Sequence, residues 1–202
     1  MWQKWHIFFI MWVSWAWKWT LLKALKEQNK IKFHIPLSYK TRAPREHEKN
    51  WIDAHFISVE EFKKSIDNHE FLEYAIVHGK EYYGTKYEDV IENWINKGKI
   101  VVKELDINGL KRLQKEKPEL RPFYTTIFLN IPVDILKERI EKRGDNISDD
   151  ELERRINSAI IEEEESKKYC DYLIDATKTP IEVKNEVMEI IQNVLKKKKI
   201  DF

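Results

Sequence analysis

Lys18 is the residue whose surroundings carry the clearest chemical meaning. It follows the apolar run His6-Ile-Phe-Phe-Ile-Met11 and lies in a segment W-V-S-W-A-W-K-W-T over positions 12 to 20. A helical pattern begins at Thr20, with Leu21, Leu22 and Leu25 on one face and Lys23 and Lys26 outside it. Strand, short loop and helix, with a lysine where the helix starts, is the layout of a phosphate cradle. Backbone N–H groups converge on the anion there, and the lysine neutralises the terminal phosphates. The pattern G-x-x-x-x-G-K-[ST] needs its glycines six residues and one residue before the lysine, for positive φ and for room. Trp12 and Trp17 hold those two positions. With glycine for tryptophan the segment reads G-V-S-G-A-G-K-G-T, a phosphate-binding loop. As written, indole rings fill the phosphate volume, and the loop is expected not to bind ATP. An aromatic core cluster or a membrane-interface belt also uses tryptophan, but neither explains the register against Lys18.

Two further groups stand out by residue type and place. Arg42 and Arg45 flank Pro44 in a polar loop, and the Glu73 carboxylate sits beside Phe71, Leu72 and Tyr74. A charge on an apolar stretch is unusual unless it meets a ligand. Arg139, Arg143 and Arg155 fall on charged helical patterns. There they either pair with Glu141, Glu151 or Glu153 or converge on an anion. Tyr82 and Tyr83 suit a core as well as a site.

The elements that must position these residues follow from periodicity and caps. His6 to Met11 reads as a buried strand. Ser58-Val-Glu-Glu61 is a capping box opening a helix through Asn68. Glu88 to Asn96 has a helical pattern stopped by Gly98. Ile100 to Leu105 and Thr125 to Leu129 read as strands. Val133 to Lys142 and Asp149 to Lys168 read as charged helices with narrow apolar stripes, and Tyr172 to Ile174 as a last short strand. Thr179-Pro180 caps a final amphipathic helix carrying Ile181, Val183, Val187, Ile190, Ile191, Val194 and Leu195. Alternating strands and helices predict an α/β fold with a mainly parallel sheet covered on both faces. There are no repeats and no low-complexity linker.

Composition narrows the class. Two hundred and two residues suffice for one α/β domain. Lys+Arg 36 against Asp+Glu 35 gives a net charge of +1, which advertises neither nucleic acid nor an anionic membrane. The Lys196 to Lys199 run reads as a solvated helix end. The apolar start is cut by Lys18 and has no small-residue cleavage site, so neither a signal peptide nor a membrane span is expected. One cysteine, Cys170, excludes an internal disulfide and suits a reducing compartment, where it fills buried or half-buried space. Glycine is scarce, at 5 residues, and tryptophan abundant, at 8. Seven of those 8 tryptophans lie in the first 51 residues, which hold no glycine.

Downstream segments resemble guanylate kinase. S-Y-K-T-R-A-P-R-E-H-E at 38 to 48 is similar to that family's S-x-T-T-R-x-P-R-x-G-E segment, and D-A-H-F at 53 to 56 to its D-Y-x-F. Phe71-Leu-Glu73-Tyr-Ala, then Gly79 and Tyr82-Tyr83-Gly84-Thr85, resemble F-x-E-W/Y-A…G…Y-Y-G-T/S. Glu104-Leu-Asp106-Ile-Asn108-Gly109 resembles the E/D-I-D-x-Q-G strand end. Arg139-Ile-Glu-Lys-Arg143-Gly144 with Arg154-Arg155 resembles the R-L-x-x-R-G lid. The likeness spans about 5–198. In its register Trp51 also falls on a family glycine, so five tryptophans (12, 15, 17, 19 and 51) stand at glycine positions. We expect a gene in which UGA encodes glycine, translated as though UGA meant tryptophan. The rival is genuine substitution, giving a kinase-dead chain.

The resemblance implies a P-loop three-layer α/β fold with a core (1–36, 88–132 and 165–202), a GMP-binding insert (37–87) and a helical lid (133–164). It implies transfer of the ATP γ-phosphoryl to GMP, giving ADP and GDP, with Mg²⁺. In that reading Trp12, Val13, Ser14, Trp15, Ala16, Trp17, Lys18, Trp19 and Thr20 form the ATP loop, with Asp175 toward adenine. Arg42 and Arg45 grip the GMP phosphate and Tyr83 adds a hydroxyl. Glu73 accepts from guanine N1–H and the exocyclic amine, while Ser38 and Thr85 meet the ring's polar edge. Asp106 lies near the acceptor base or the Mg²⁺ waters, and Thr20 near Mg²⁺. Lys18, Arg42, Arg139, Arg143 and Arg155 supply the catalytic positive charge. The partners implied are GMP and ATP, in the cytoplasm, for a monomer or small homo-oligomer.

Three departures matter. Ala54 replaces a phosphate-binding tyrosine, for which His55 or Tyr39 is a candidate substitute. His47 replaces a glycine, and Asp175-Ala176 sits where an asparagine usually faces adenine. Two alternatives therefore stand beside GMP kinase: a catalytically dead protein-binding module, and a nucleoside-monophosphate kinase with another acceptor.

Overall fold

The computed structural model describes residues 5–12, 18–27, 31–77, 80–92, 100–142 and 148–200. Up to residue 92 the elements are β1 (His6–Trp12), α1 (Lys18–Glu27), β2 (Phe33–His34), β3 (Tyr39–Lys40), β4 (His55–Phe56), α2 (Val59–Asp67), β5 (Phe71–Val77) and β6 (Glu81–Lys86). A π-helical turn, Glu88–Glu92, stands where a longer helix is expected; the rest of that expectation lies outside the described residues. Then follow β7 (Ile100–Glu104), α3 (Ile107–Glu116), a 3-10 turn (Pro118–Phe123) and β8 (Tyr124–Asn130). The last elements are α4 (Val133–Lys142), α5 (Asp149–Tyr169), β9 (Tyr172–Asp175) and α6 (Pro180–Lys198).

The expected parallel sheet has the order β2-β7-β1-β8-β9. Parallel registers are Phe33↔Ile100 and His34↔Val101 on one side, and Ile127↔Tyr172 through Asn130↔Asp175 on the other. His6 to Met11 are all buried, which is why β1 is apolar without alternation.

Two compact units share the chain. In the unit containing Phe8–Lys32 and Thr125–Phe202, Leu21, Leu22 and Leu25 bury the inner face of α1, which packs against α6. Helix α6 starts as its sequence predicts: the Thr179 hydroxyl accepts from the Glu182 N–H, Glu182 returns the contact, and Pro180 takes the first turn. Such a cap contributes about 1 kcal/mol. Cys170 is half-buried, and burial beside Asp171 pushes its thiol up to about 12, so it is inert filler.

The unit built on Phe33–Tyr124 carries a second sheet, of order β4-β3-β6-β5, which sequence periodicity does not announce. It is mixed: β3 pairs parallel with β4 and antiparallel with β6, and β5 and β6 form an antiparallel pair. Helix α2 starts at the Ser58–Glu61 capping box. It buries Phe62 against Phe71, with ring centroids 4.2 Å apart. Gly84 passes beneath these rings; a Cβ there would lie 2.9 Å from Phe71 Cδ1 and 3.0 Å from Phe62 Cζ. Only glycine lets β6 approach so closely.

Candidate active site

A register shift between Phe71 and Glu73 decides what the second sheet presents. Residues two apart on a regular strand share a face. The irregularity instead lets Phe71 join the Phe62, Tyr74 and Tyr82 rings while Glu73 pairs with Thr85. Cross-strand partners Lys40↔Phe56, Lys40↔Tyr83, Ala75↔Tyr83 and Glu73↔Thr85 therefore stand on one face. Tyr39, His55 and Gly84 stand on the other.

One end of that face is cationic and built around Arg42. Its two terminal nitrogens donate to the two Glu48 oxygens at 2.5 and 2.6 Å, and its Nε donates to the Tyr83 hydroxyl at 2.9 Å. The guanidinium lies 5.3 Å from the centre of the Phe56 ring, and the side chains of Arg42 and Glu48 are only 11% and 4% exposed. The guanidinium holds the Glu48 carboxyl near 2, helped by the Arg45 N–H and the Lys40 charge, while burial opposes. Glu48 in turn pushes the Arg42 guanidinium upward. Nη1 also donates to the Ala43 carbonyl at 2.9 Å, so one Nη2 hydrogen is left for a phosphate, and the full fork grips a phosphate only in exchange for Glu48. Arg45 contributes its N–H to Glu48 Oε2 at 2.9 Å, and its side chain is exposed.

The other end is a buried acceptor. Glu73 is 6% exposed and its Oε1 accepts from the Thr85 hydroxyl at 2.5 Å. Burial pushes its carboxyl up to about 7, against the Thr85 bond and the Lys103 charge, with Asp106 and Glu104 adding to the rise. Its Oε2 would lie 2.9 Å from a Cβ at Gly109, so the missing side chain there admits the carboxylate to the first turn of α3. That turn is capped by Asp106, which accepts from the Gly109 N–H at 2.7 Å. Burial raises the Asp106 carboxyl, while the Gly109 and Asn108 N–H groups draw it back. Ser38 is buried and accepts from Lys103 Nζ at 2.6 Å while donating to Glu104 Oε1 at 3.2 Å.

The sheet thus gathers Ser38, Arg42, Glu73, Tyr83 and Thr85, with Asp106 beside them. His55 and Tyr39, the candidate substitutes for the tyrosine missing at Ala54, sit on the opposite face, with ring centroids 4.4 Å apart and the rings tilted by 37°. The cation that shares the Tyr83 face is Lys40, whose Nζ lies 5.7 Å from the Tyr83 ring centre.

Other expected site residues stand apart or outside. Val13, Ser14, Trp15, Ala16, Trp17 and Arg143 lie outside the described residues, as do the side chains of Lys18, Trp19, Arg139 and Arg155. Trp12 ends β1, and Thr20 is exposed on the first turn of α1. Asp175 is exposed at the end of β9 and accepts from the Thr177 N–H and hydroxyl at 2.9 and 2.6 Å. Sequence reading names no role for Lys40, Glu48 or Lys103. Glu48 does occupy the last position of the R-x-G-E pattern, and Lys40 stands where that pattern has threonine. Among the described residues no group of three His, Cys, Asp or Glu could hold a metal, and no helix is long and apolar enough to cross a membrane.

Residues 10–197 match the family model described as guanylate kinase. The chain is 41% identical over 163 residues to guanylate kinase of Campylobacter jejuni (strain RM1221), covering 80% of this chain and 76% of that one. It is 39% identical over 162 residues to guanylate kinase of Helicobacter pylori (strain ATCC 700392 / 26695), covering 80% and 74%. The crystal structure of guanylate kinase from Anaplasma phagocytophilum superposes with a TM-score of 0.72 at 23% identity, over 93% of this chain and 85% of that one.

Proposed function

Because the chain belongs to the guanylate kinase family, we propose that it transfers the γ-phosphoryl group of ATP to GMP. An oxygen of the GMP phosphate forms the new bond to the γ-phosphorus. The bond from that phosphorus to the β-bridging oxygen breaks, its electron pair stays with ADP, and GDP is the second product. The observation that carries this reading is Glu73, a buried carboxylate bonded to Thr85 on the same sheet face as Tyr83. Ionised, it accepts from two adjacent N–H donors, which guanine offers and adenine does not.

Phosphoryl transfer asks mainly for positioning and neutralised charge. Arg42, Arg45 and Tyr83 hold the acceptor phosphate, and Ser38, Glu73 and Thr85 hold the base. In this reading Lys18, Arg139, Arg143 and Arg155 supply the positive charge that phosphoryl transfer needs. Residues 37–87 are the acceptor insert and 133–164 the lid whose closure excludes water. Mg²⁺ brought with ATP would supply counter-charge for the phosphates, with Asp106 and Thr20 the residues that would hold it. Asp106 already caps α3, which suits contact through water rather than direct ligation. Thr20 offers a hydroxyl at the first turn of α1. The single cysteine fits a cytoplasmic setting, as a monomer or small homo-oligomer.

Trp51 supports reading the misplaced tryptophans as glycines. Its φ is 65°, the left-handed region that favours glycine, and its indole is 66% exposed. UGG codons at positions 12, 15, 17, 19 and 51, or a native mass equal to 24.5 kDa, would overturn that reading.

The test is ADP formation from ATP with GMP, AMP, UMP or CMP, using glycine at those five positions. GMP is expected to be preferred. No turnover with any acceptor defeats the kinase reading and leaves the binding module; faster turnover of AMP than of GMP removes the role given to Glu73.

A further inference from the structure

Lys103 lies on β7 with 1% of its surface exposed, in a strand that otherwise opens Ile100-Val-Val. A buried ammonium is costly unless it is bonded and paired, so the position needs a reason. Its Nζ donates to Ser38 Oγ at 2.6 Å and to the Pro36 carbonyl at 3.2 Å. An ammonium has donors only. Ser38 must therefore accept from it, and the serine proton must point elsewhere. That proton goes to Glu104 Oε1 at 3.2 Å, a long bond that a ligand carbonyl can displace.

Glu73 supplies the complementary acceptor. Lys103 draws its carboxyl down toward the ionised form, against burial and the Asp106 and Glu104 charges, while Thr85 holds it in place.

We propose that Lys103 is a specificity-determining positioning residue for guanine, acting by fixing Ser38 as a hydrogen-bond donor beside the Glu73 acceptor. The inference rests on the GMP-kinase reading. A donor next to an acceptor matches a base edge that carries a carbonyl beside N–H groups. Adenine presents an amino group and an unprotonated ring nitrogen, so donor meets donor and acceptor meets acceptor. Lys103 touches no reacting atom; its effect passes through Ser38.

The test is calorimetric titration of the full chain with GMP and, separately, with AMP. AMP shares the phosphate contacts and lacks the guanine edge. Lys103→Met is expected to weaken GMP about tenfold or more, the loss of a charge-assisted contact, while AMP stays within about twofold. Ser38→Ala is expected to reproduce the GMP loss, and adding Lys103→Met to it to change GMP by less than about twofold. The proposal is overturned if Lys103→Met leaves GMP within twofold of the parent, or weakens GMP and AMP alike as a structural defect would. It is overturned equally if Ser38→Ala keeps full GMP affinity, a result that decides the matter even where Lys103→Met does not fold. A parent chain that binds GMP no better than AMP sinks the GMP reading as well. A parent that prefers GMP with variants that keep the preference sinks this inference alone.

Discussion

Gly109→Ala tests whether guanine recognition depends on how closely Glu73 approaches helix α3. The added methyl would sit 2.9 Å from Glu73 Oε2 and 2.8 Å from Leu105 Cδ1, where ordinary contact begins near 3.4 Å. Each neighbour must therefore yield by roughly 0.5 Å. Leu105 ends in a methyl that can turn aside. Glu73 is held by the 2.5 Å bond from Thr85, so moving it loosens that bond or tilts the carboxylate. Stability changes little: alanine is favoured over glycine in a helix by about 1 kcal/mol, and overpacking costs about 1–3 kcal/mol. A net loss near 1 kcal/mol lowers Tm by about 2–4 °C at this chain length. Recognition suffers more. Hydrogen bonds to a charged group are worth about 1.5–3 kcal/mol, so misaligning the carboxylate weakens GMP by about tenfold to a hundredfold. Titration with GMP and AMP, alongside thermal unfolding, separates the two effects. GMP affinity within twofold of the parent would show that the close approach does not matter and would refute the reasoning.

The Glu73 carboxyl, pushed up to about 7 by burial, must be ionised to accept from guanine. The ratio of kcat/KM for GMP over AMP is expected to rise with pH through about 7, the phosphate titration near 6 cancelling in the ratio; a flat ratio in the parent contradicts this. Glu48 has its carboxyl held near 2, below its ordinary 4.5. A depressed folded-state value adds stability that is present above 4.5 and lost as pH falls toward 2. Glu48→Gln should flatten that acid loss in unfolding midpoints measured from pH 5 to 2, and an unchanged slope would count against the Arg42 pairing. Trp51→Gly relieves a left-handed tryptophan and should raise stability by about 1 kcal/mol, read as a higher urea midpoint; a lower midpoint would mean that the 4.3 Å contact with His55 outweighs the backbone strain.

Helix starts are legible in the sequence because their signals are local. S-V-E-E at 58 to 61 and T-P-I-E at 179 to 182 name their own caps, and the structure closes both boxes. The parallel sheet is legible because β1 after His6 and the Ile100-Val-Val opening of β7 are apolar runs without alternation, as strands covered on both faces must be. The second sheet is hidden for two physical reasons. Its strands β3 and β4 are two residues long, too short for any period to show. The shift between Phe71 and Glu73 also breaks the alternation of β5 at the point where a carboxylate must leave the aromatic face. Lys40 and Lys103 take no role in the sequence reading, since nothing in a sequence of this charge density marks a lysine as buried.

The same break in alternation explains why one face can serve both halves of a nucleotide. A regular β5 would place Glu73 with Phe71 against α2, and the sheet would then offer only Arg42 and Tyr83, enough for a phosphate and blind to the base. Shifting the register by one residue moves a carboxylate across the sheet without disturbing the Phe62 cluster that holds α2 in place. Glu48 completes the other end. It fills the Arg42 fork with a carboxylate, so the guanidinium is held in bidentate geometry before any phosphate arrives. A phosphate then meets an arginine already oriented, with one Nη2 hydrogen left to donate and Tyr83 on its Nε, and less side-chain freedom is lost on binding.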